Sequence, residues 1–84
     1  MNHLKLEIKV LGTGCSRCKD LDRVTRKAVE ELKLVASVEK VEDIQKIMEF
    51  AVMRTPALVI NGKVVLSGKV PTVLEVKSLL TSSL

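Results

Sequence analysis

The chain has 84 residues, 46% hydrophobic and 29% charged, which excludes a disordered chain and predicts one domain over residues 1–84 with a modest aliphatic core. Phe50 is the single aromatic, so nothing is available to stack on bases, and a nucleic-acid partner of the stacking kind is excluded. The net charge of +4 mildly favours acidic partners without forming a basic block, and no apolar run approaches membrane-spanning length.

Residues 4–11 alternate and predict a strand. Leu4, Leu6, Ile8 and Val10 face a packed layer; Lys5, Glu7 and Lys9 face the other way. Nothing in this stretch has the apolar core of a secretory leader. His3, just ahead of it, is expected to be solvated. Gly12 and Gly14 break the strand and leave a loop that another chain can approach closely. Residues 16–34 predict a helix whose apolar stripe runs Cys18, Leu21, Thr25, Ala28, Leu32, flanked by Val24 and Val29. Arg23, Arg26, Lys27 and Lys33 read as its solvated face, together with Arg17 and Lys19.

A short strand is expected over residues 35–41. Glu42 or Asp43 then caps a helix whose apolar face is Ile44, Ile47, Met48 and Ala51. Met48 and Met53 are expected as core filler. Thr55-Pro56 interrupts that helix, and Ala57-Leu58-Val59-Ile60 follows as a continuous apolar strand. Asn61-Gly62 supplies the two positive-φ residues of a type I′ turn, so Lys63–Leu66 is the returning strand of a tight hairpin. Gly68 ends it. Thr72 with Glu75 fits a capping box for a last helix with Val73, Val76, Leu79 and Leu80 inward, and the tail 81–84 is expected to fray.

The chemistry lies in Gly12-Thr13-Gly14-Cys15-Ser16-Arg17-Cys18, at the junction of the first strand and first helix. Cysteines three positions apart meet in the first turn of a helix. There they can close a small disulfide ring or grip one soft metal ion. The unpaired N–H groups and positive dipole end of the helix stabilise a thiolate, and Arg17, between the two thiols, is a cation that favours one. The plain alternatives are a disulfide staple or two small buried hydrophobes. Two cysteines without a leader point to a reducing compartment, so a cytoplasmic location is expected, and there such a pair is more often catalytic or metal-binding. Cys15 begins the helix and is expected to be the more exposed thiol; Cys18 opens the apolar stripe and turns inward.

The element order is strand, helix, strand, helix, two-stranded hairpin, helix. A helical crossover makes the first two strands parallel. The result is an α/β fold, a four-stranded mixed sheet with helices on both faces, and the cysteines lie at the carboxyl end of the first strand. With Thr55-Pro56-Ala57-Leu58-Val59-Ile60-Asn61-Gly62 and Ser67-Gly68 at this spacing, nearly the whole chain resembles the thioredoxin/glutaredoxin superfamily, in particular its small stand-alone redox-active disulfide proteins.

The resemblance implies a βαβαββα fold and a protein disulfide oxidoreductase without a cofactor. Cys15 would be the attacking thiol and Cys18 the resolving one. Pro56 would be cis beside the disulfide, and the Thr55 backbone would pair with a substrate strand, Gly14 and Gly68 lining the same site. The implied partners are a disulfide-containing protein substrate and a reductase, with no nucleic acid and no membrane, and the chain acting as a monomer. The sequence departs from the family pattern in the Ser16-Arg17 dipeptide, in Lys9 where thioredoxins keep a buried Asp, and in Ser67-Gly68-Lys69-Val70, which lacks the acid that glutaredoxins use to hold glutathione. The Gly-x-Gly-Cys-x-x-Cys stretch also resembles the Cu(I) loop of small copper-chaperone domains. Those run strand, helix, strand, strand, helix, strand, an order that a final helix does not fit.

Overall fold

Alternation in strand β1 (Leu6–Leu11) divides the molecule into two layers of core. Leu6, Ile8 and Val10 enter one cluster; Leu11 enters a second on the opposite side of the sheet. The computed structural model describes residues 6–14, 16–52 and 54–83; the expectations placed on His3, Leu4, Lys5, Cys15, Met53 and Leu84 fall outside them. Helix α1 (Ser16–Leu32) returns the chain to β2 (Ala36–Val41), which pairs parallel with β1. Helix α2 (Ile44–Glu49) leads to the hairpin of β3 (Ala57–Ile60) and β4 (Lys63–Ser67), and α3 (Val73–Ser82) follows. The sheet order is β2-β1-β3-β4, with β3 antiparallel to both of its neighbours. This is the four-stranded mixed α/β sheet that the element order predicts.

The larger cluster joins α1 and α3 through Leu21, Val24, Ala28, Val76 and Leu80, packed on Leu58 and Ile60 of β3. Each Leu, Ile and Val side chain in this cluster, fully buried, stabilises the fold by about 1.5–3 kcal/mol before entropy is counted. The other face is thinner: Leu11, Val41, Ala57 and Val59 are covered by Ile47 of α2, with Phe50 and Val52 at its margin. Residues 57–60 alternate between the two clusters and are all buried, which explains why β3 reads as an unbroken apolar run.

Asn61 and Gly62 both take positive φ, at 52° and 83°, as a type I′ turn requires. Asn61 also exchanges hydrogen bonds with β1: its N–H donates to the Glu7 carbonyl at 2.7 Å, and its Oδ1 accepts from the Glu7 N–H at 2.9 Å. The hairpin register is not uniform. Leu58 faces Leu66 but Val59 faces Val64, so Val65 is an extra residue bulged out of β4, the exposed edge.

Four expectations need correction. Helix α1 stops at Leu32, two residues early, because Lys33 turns left-handed at φ 54°. The Lys33 N–H then donates to the Glu30 carbonyl and the Leu34 N–H to the Val29 carbonyl, the paired bonds that close a helix end. Helix α2 is capped by Asp43 but ends at Glu49, well before Pro56, with Ala51 at φ 59° outside it. Its apolar face is rolled: Ile47 and Phe50 meet the sheet, while Ile44 and Met48 are 59% and 67% exposed. With about 100° per residue, Met48 lies roughly 160° around the helix from Phe50, too far to share its contact. Met48 is therefore not core filler. Finally, α3 runs to Ser82, so Thr81 and Ser82, expected in the tail, belong to the helix. The Thr72–Glu75 capping box starts it, and the Ser83 N–H donates to the Leu80 and Thr81 carbonyls to close it.

Candidate functional site

The site is one row of backbone across the carboxyl end of β1. The ladder pairs Leu11 with Val41 on one side and with Ala57 on the other, and Ala57 with Ser67. One step further, the row reads Glu42, Gly12, Pro56, Gly68. Two hydrogen bonds continue the ladder into this row: the Gly12 N–H donates to the Val41 carbonyl at 3.0 Å, and the Gly68 N–H to the Pro56 carbonyl at 2.8 Å.

Cys18 is seated on this row and is 3% exposed, facing inward as its place at the head of the apolar stripe predicts. Ser16 and Arg17, before it in the first turn of α1, are exposed. The seat is Gly12. A Cβ at Gly12 would run into Cys18 Sγ and lie 2.9 Å from Cys18 Cβ. The sequence marks Gly12 as a strand breaker in a loop that another chain can approach, and not as the seat of Cys18. Its signal was its position one residue beyond the last apolar strand residue and six before the second cysteine. Gly14, at φ +91°, holds a turn that a side chain would strain, and the Glu42 carboxylate reaches its Cα: a Cβ there would meet Glu42 Oε2 at 3.4 Å.

The Thr55–Pro56 peptide bond is cis, with Pro56 buried beneath an exposed Thr55. Gly68, at φ +80°, stands beside Pro56 and gathers two cationic side chains. Arg17 Nη2 donates to its carbonyl oxygen at 3.0 Å, which ties the first turn of α1 to the segment after β4. The stem of Arg54 lies over its Cα: Arg54 Cδ and Cβ would be 3.2 and 3.3 Å from a Cβ at Gly68. The predicted residues Gly14, Arg17, Cys18, Thr55, Pro56 and Gly68 thus share one edge of the sheet, joined by Gly12, Glu42 and Arg54. Cys15 falls outside the described residues.

Lys9, at the position where the resembled thioredoxins place a buried Asp, points to the sheet edge. Its Nζ pairs with Glu39 Oε1 at 2.9 Å, and this hydrogen bond and charge hold the Glu39 carboxyl below the usual carboxylate range. Among the described residues no group of three or more His, Cys, Asp or Glu side chains is arranged to hold a metal ion. No helix among them is long and apolar enough to cross a membrane.

Comparison with known proteins agrees with the geometry. The family model described as "Thioredoxin domain" matches residues 6–81. A protein named thioredoxin from Methanocaldococcus jannaschii is 38% identical over 84 residues, covering 100% of this chain and 96% of its own. Another thioredoxin, from Methanothermobacter thermautotrophicus, is 33% identical over 76 residues, covering 90% of this chain and 99% of its own. A family model that spans residues 6–81 and two relatives that align over nearly the whole length show that the chain belongs to the thioredoxin family.

Proposed function

We propose that this chain, acting as one domain over residues 1–84, is a thiol–disulfide oxidoreductase that works by dithiol/disulfide exchange through Cys15 and Cys18. The observation that carries this reading is the row Gly12–Pro56–Gly68, with the Cys18 side chain seated on Gly12 next to the cis-proline. Thioredoxin is the name of both relatives, and a general redox role follows from it.

The exchange balances in two steps. The Cys15 thiolate attacks one sulfur of a substrate disulfide, forming a mixed disulfide and releasing the first substrate thiolate, which takes up a proton. Cys18 then loses its proton and attacks Cys15 Sγ. The Cys15–Cys18 disulfide forms, and the second substrate thiol leaves; the substrate gains the two electrons that the dithiol loses. The α1 N-terminus favours the Cys15 thiolate, and Arg17 holds the rim in register through Gly68 while adding positive charge. The substrate strand would lie against the Thr55 backbone, with Gly14 and Gly68 leaving it room. A separate reductase would restore the dithiol. A monomer in a reducing, cytoplasmic compartment suits this cycle.

Cysteine variants test the reading. Cys15 should be alkylated first at neutral pH. Cys18→Ser should accumulate mixed disulfides with substrate proteins, because attack proceeds and resolution cannot; Cys15→Ser should accumulate none. Arg17→Ala should raise the apparent pKa of Cys15 if its cation contributes. Faster labelling of Cys18 reverses the assignment of nucleophile. Absence of trapping, together with tight Cu(I) binding by both sulfurs of the wild type, replaces exchange with metal binding.

A further inference from the structure

Most of the positive charge on α1 is locally answered. Arg23 pairs with Asp20, Arg26 with Asp22 at 3.0 Å, and Lys27 with Glu31. At the site the pattern differs. Arg17, Arg54 and Lys69 have no carboxylate within ion-pair distance among the described residues. All three are exposed, and two of them gather at Gly68: Arg17 bonds its carbonyl and Arg54 lays its stem across its Cα. Lys19, Lys33, Lys40, Lys46 and Lys63 likewise form no ion pair among the described residues. The nearby acids do not cancel this group. Glu75 accepts from the Thr72 N–H and hydroxyl in its capping box, feeling Lys69 only through space. Glu42 lies at the other end of the row, against Gly14.

The rim is therefore polarised, acidic beside Gly14 and basic beside Pro56 and Gly68. Positive charge without a partner at one edge attracts an anionic occupant and raises the encounter rate. We propose that the site selects polypeptide disulfides that carry acidic residues next to the half-cystine, those residues lying over Arg17 and Arg54 on the Gly68 side. This rests on the thiol–disulfide exchange reading.

The test is a single-turnover reaction of the fully reduced protein with three synthetic peptide disulfides, identical except for Glu, Ser or Lys flanking the cystine. At low salt the Glu peptide should be reduced on the order of tenfold faster than the Lys peptide. The gap should close near 1 M salt, where the screening length falls to about 3 Å. Arg54→Glu should narrow or reverse the preference. Lys63→Glu, an equal charge change at the opposite end of β4, should leave it as it is. Equal rates for the three peptides at low salt overturn this inference and leave the exchange reading standing, as does a preference that Lys63→Glu shifts as much as Arg54→Glu. Faster reaction with glutathione disulfide than with the Glu peptide also overturns it, because the occupant is then a small anion and not a polypeptide. No reduction of any peptide overturns the exchange reading, and this inference with it.

Discussion

Replacing Gly12 with alanine adds one methyl group where the structure has no room for it. The backbone at Gly12 is not left-handed, so alanine meets no φ penalty and the cost is steric alone. The new Cβ would collide with Cys18 Sγ, which can turn about χ1. It would also lie 2.9 Å from Cys18 Cβ, which cannot turn, because it is fixed to the helix backbone. Ordinary carbon–carbon contacts are about 3.5–4.0 Å, so the start of α1 must withdraw by roughly an ångström. The same helix buries Leu21, Val24 and Ala28 in the main core, so it cannot move freely. Overpacking of this kind costs about 1–3 kcal/mol. In a domain of this size each kcal/mol lowers Tm by about 4–8 °C, so a fall on the order of 10 °C is expected in thermal denaturation of the reduced protein. A double-mutant cycle with Cys18→Ala isolates the sulfur: its removal should recover about 1 kcal/mol, within the usual range for contacting residues, while the Cβ clash persists. A Gly12→Ala protein as stable as wild type, or strict additivity with Cys18→Ala, refutes the seat described for Cys18.

Two further outcomes are expected. Thr25 is fully buried in α1, and its hydroxyl finds no hydrogen-bond partner among the described residues; Thr25→Val keeps the shape, removes the orphaned group and should stabilise by about 1 kcal/mol in urea titration, whereas a loss of stability would mean that the hydroxyl is paired. Lys77 bonds Glu31 at 2.7 Å between α3 and α1, and that hydrogen bond and charge hold Glu31 below the usual carboxylate range. Because the folded-state value is the lowered one, the unfolded chain takes up its proton first. The contribution of Glu31 is complete above about pH 4.3, the ordinary glutamate value, and is lost as pH falls from there through the folded value. Glu31→Gln should flatten the acid limb of urea midpoint against pH; an unchanged slope would show that the pair does not hold in solution.

Local chemistry made much of this protein legible in one dimension. Strict alternation placed Leu6, Ile8 and Val10 on one face, Asn61-Gly62 could supply a tight turn because both residues accept positive φ, and Thr72 with Glu75 spelled its own helix cap. Each of these signals is settled within a few residues, by sterics or by hydrogen bonds to the local backbone. The inward turn of Cys18 was equally readable, since it opens a stripe at helical spacing. What stayed hidden depends on partners far along the chain. Whether Met48 is core or surface was decided by how α2 rolls to press Ile47 and Phe50 on Leu11, Val41 and Val59. The end of α1 at Leu32 was decided by a left-handed lysine, a residue type with no marked preference for that turn. Above all, Gly12, Pro56 and Gly68 become neighbours only when two strand registers align, 44 and 56 positions along the chain from the first to the others. Gly12 then becomes the floor under Cys18, and Gly68 the point where Arg17 and Arg54 meet. No local pattern encodes that row, because its members are brought together by the pairing of β1, β3 and β4 and not by anything in their own neighbourhoods.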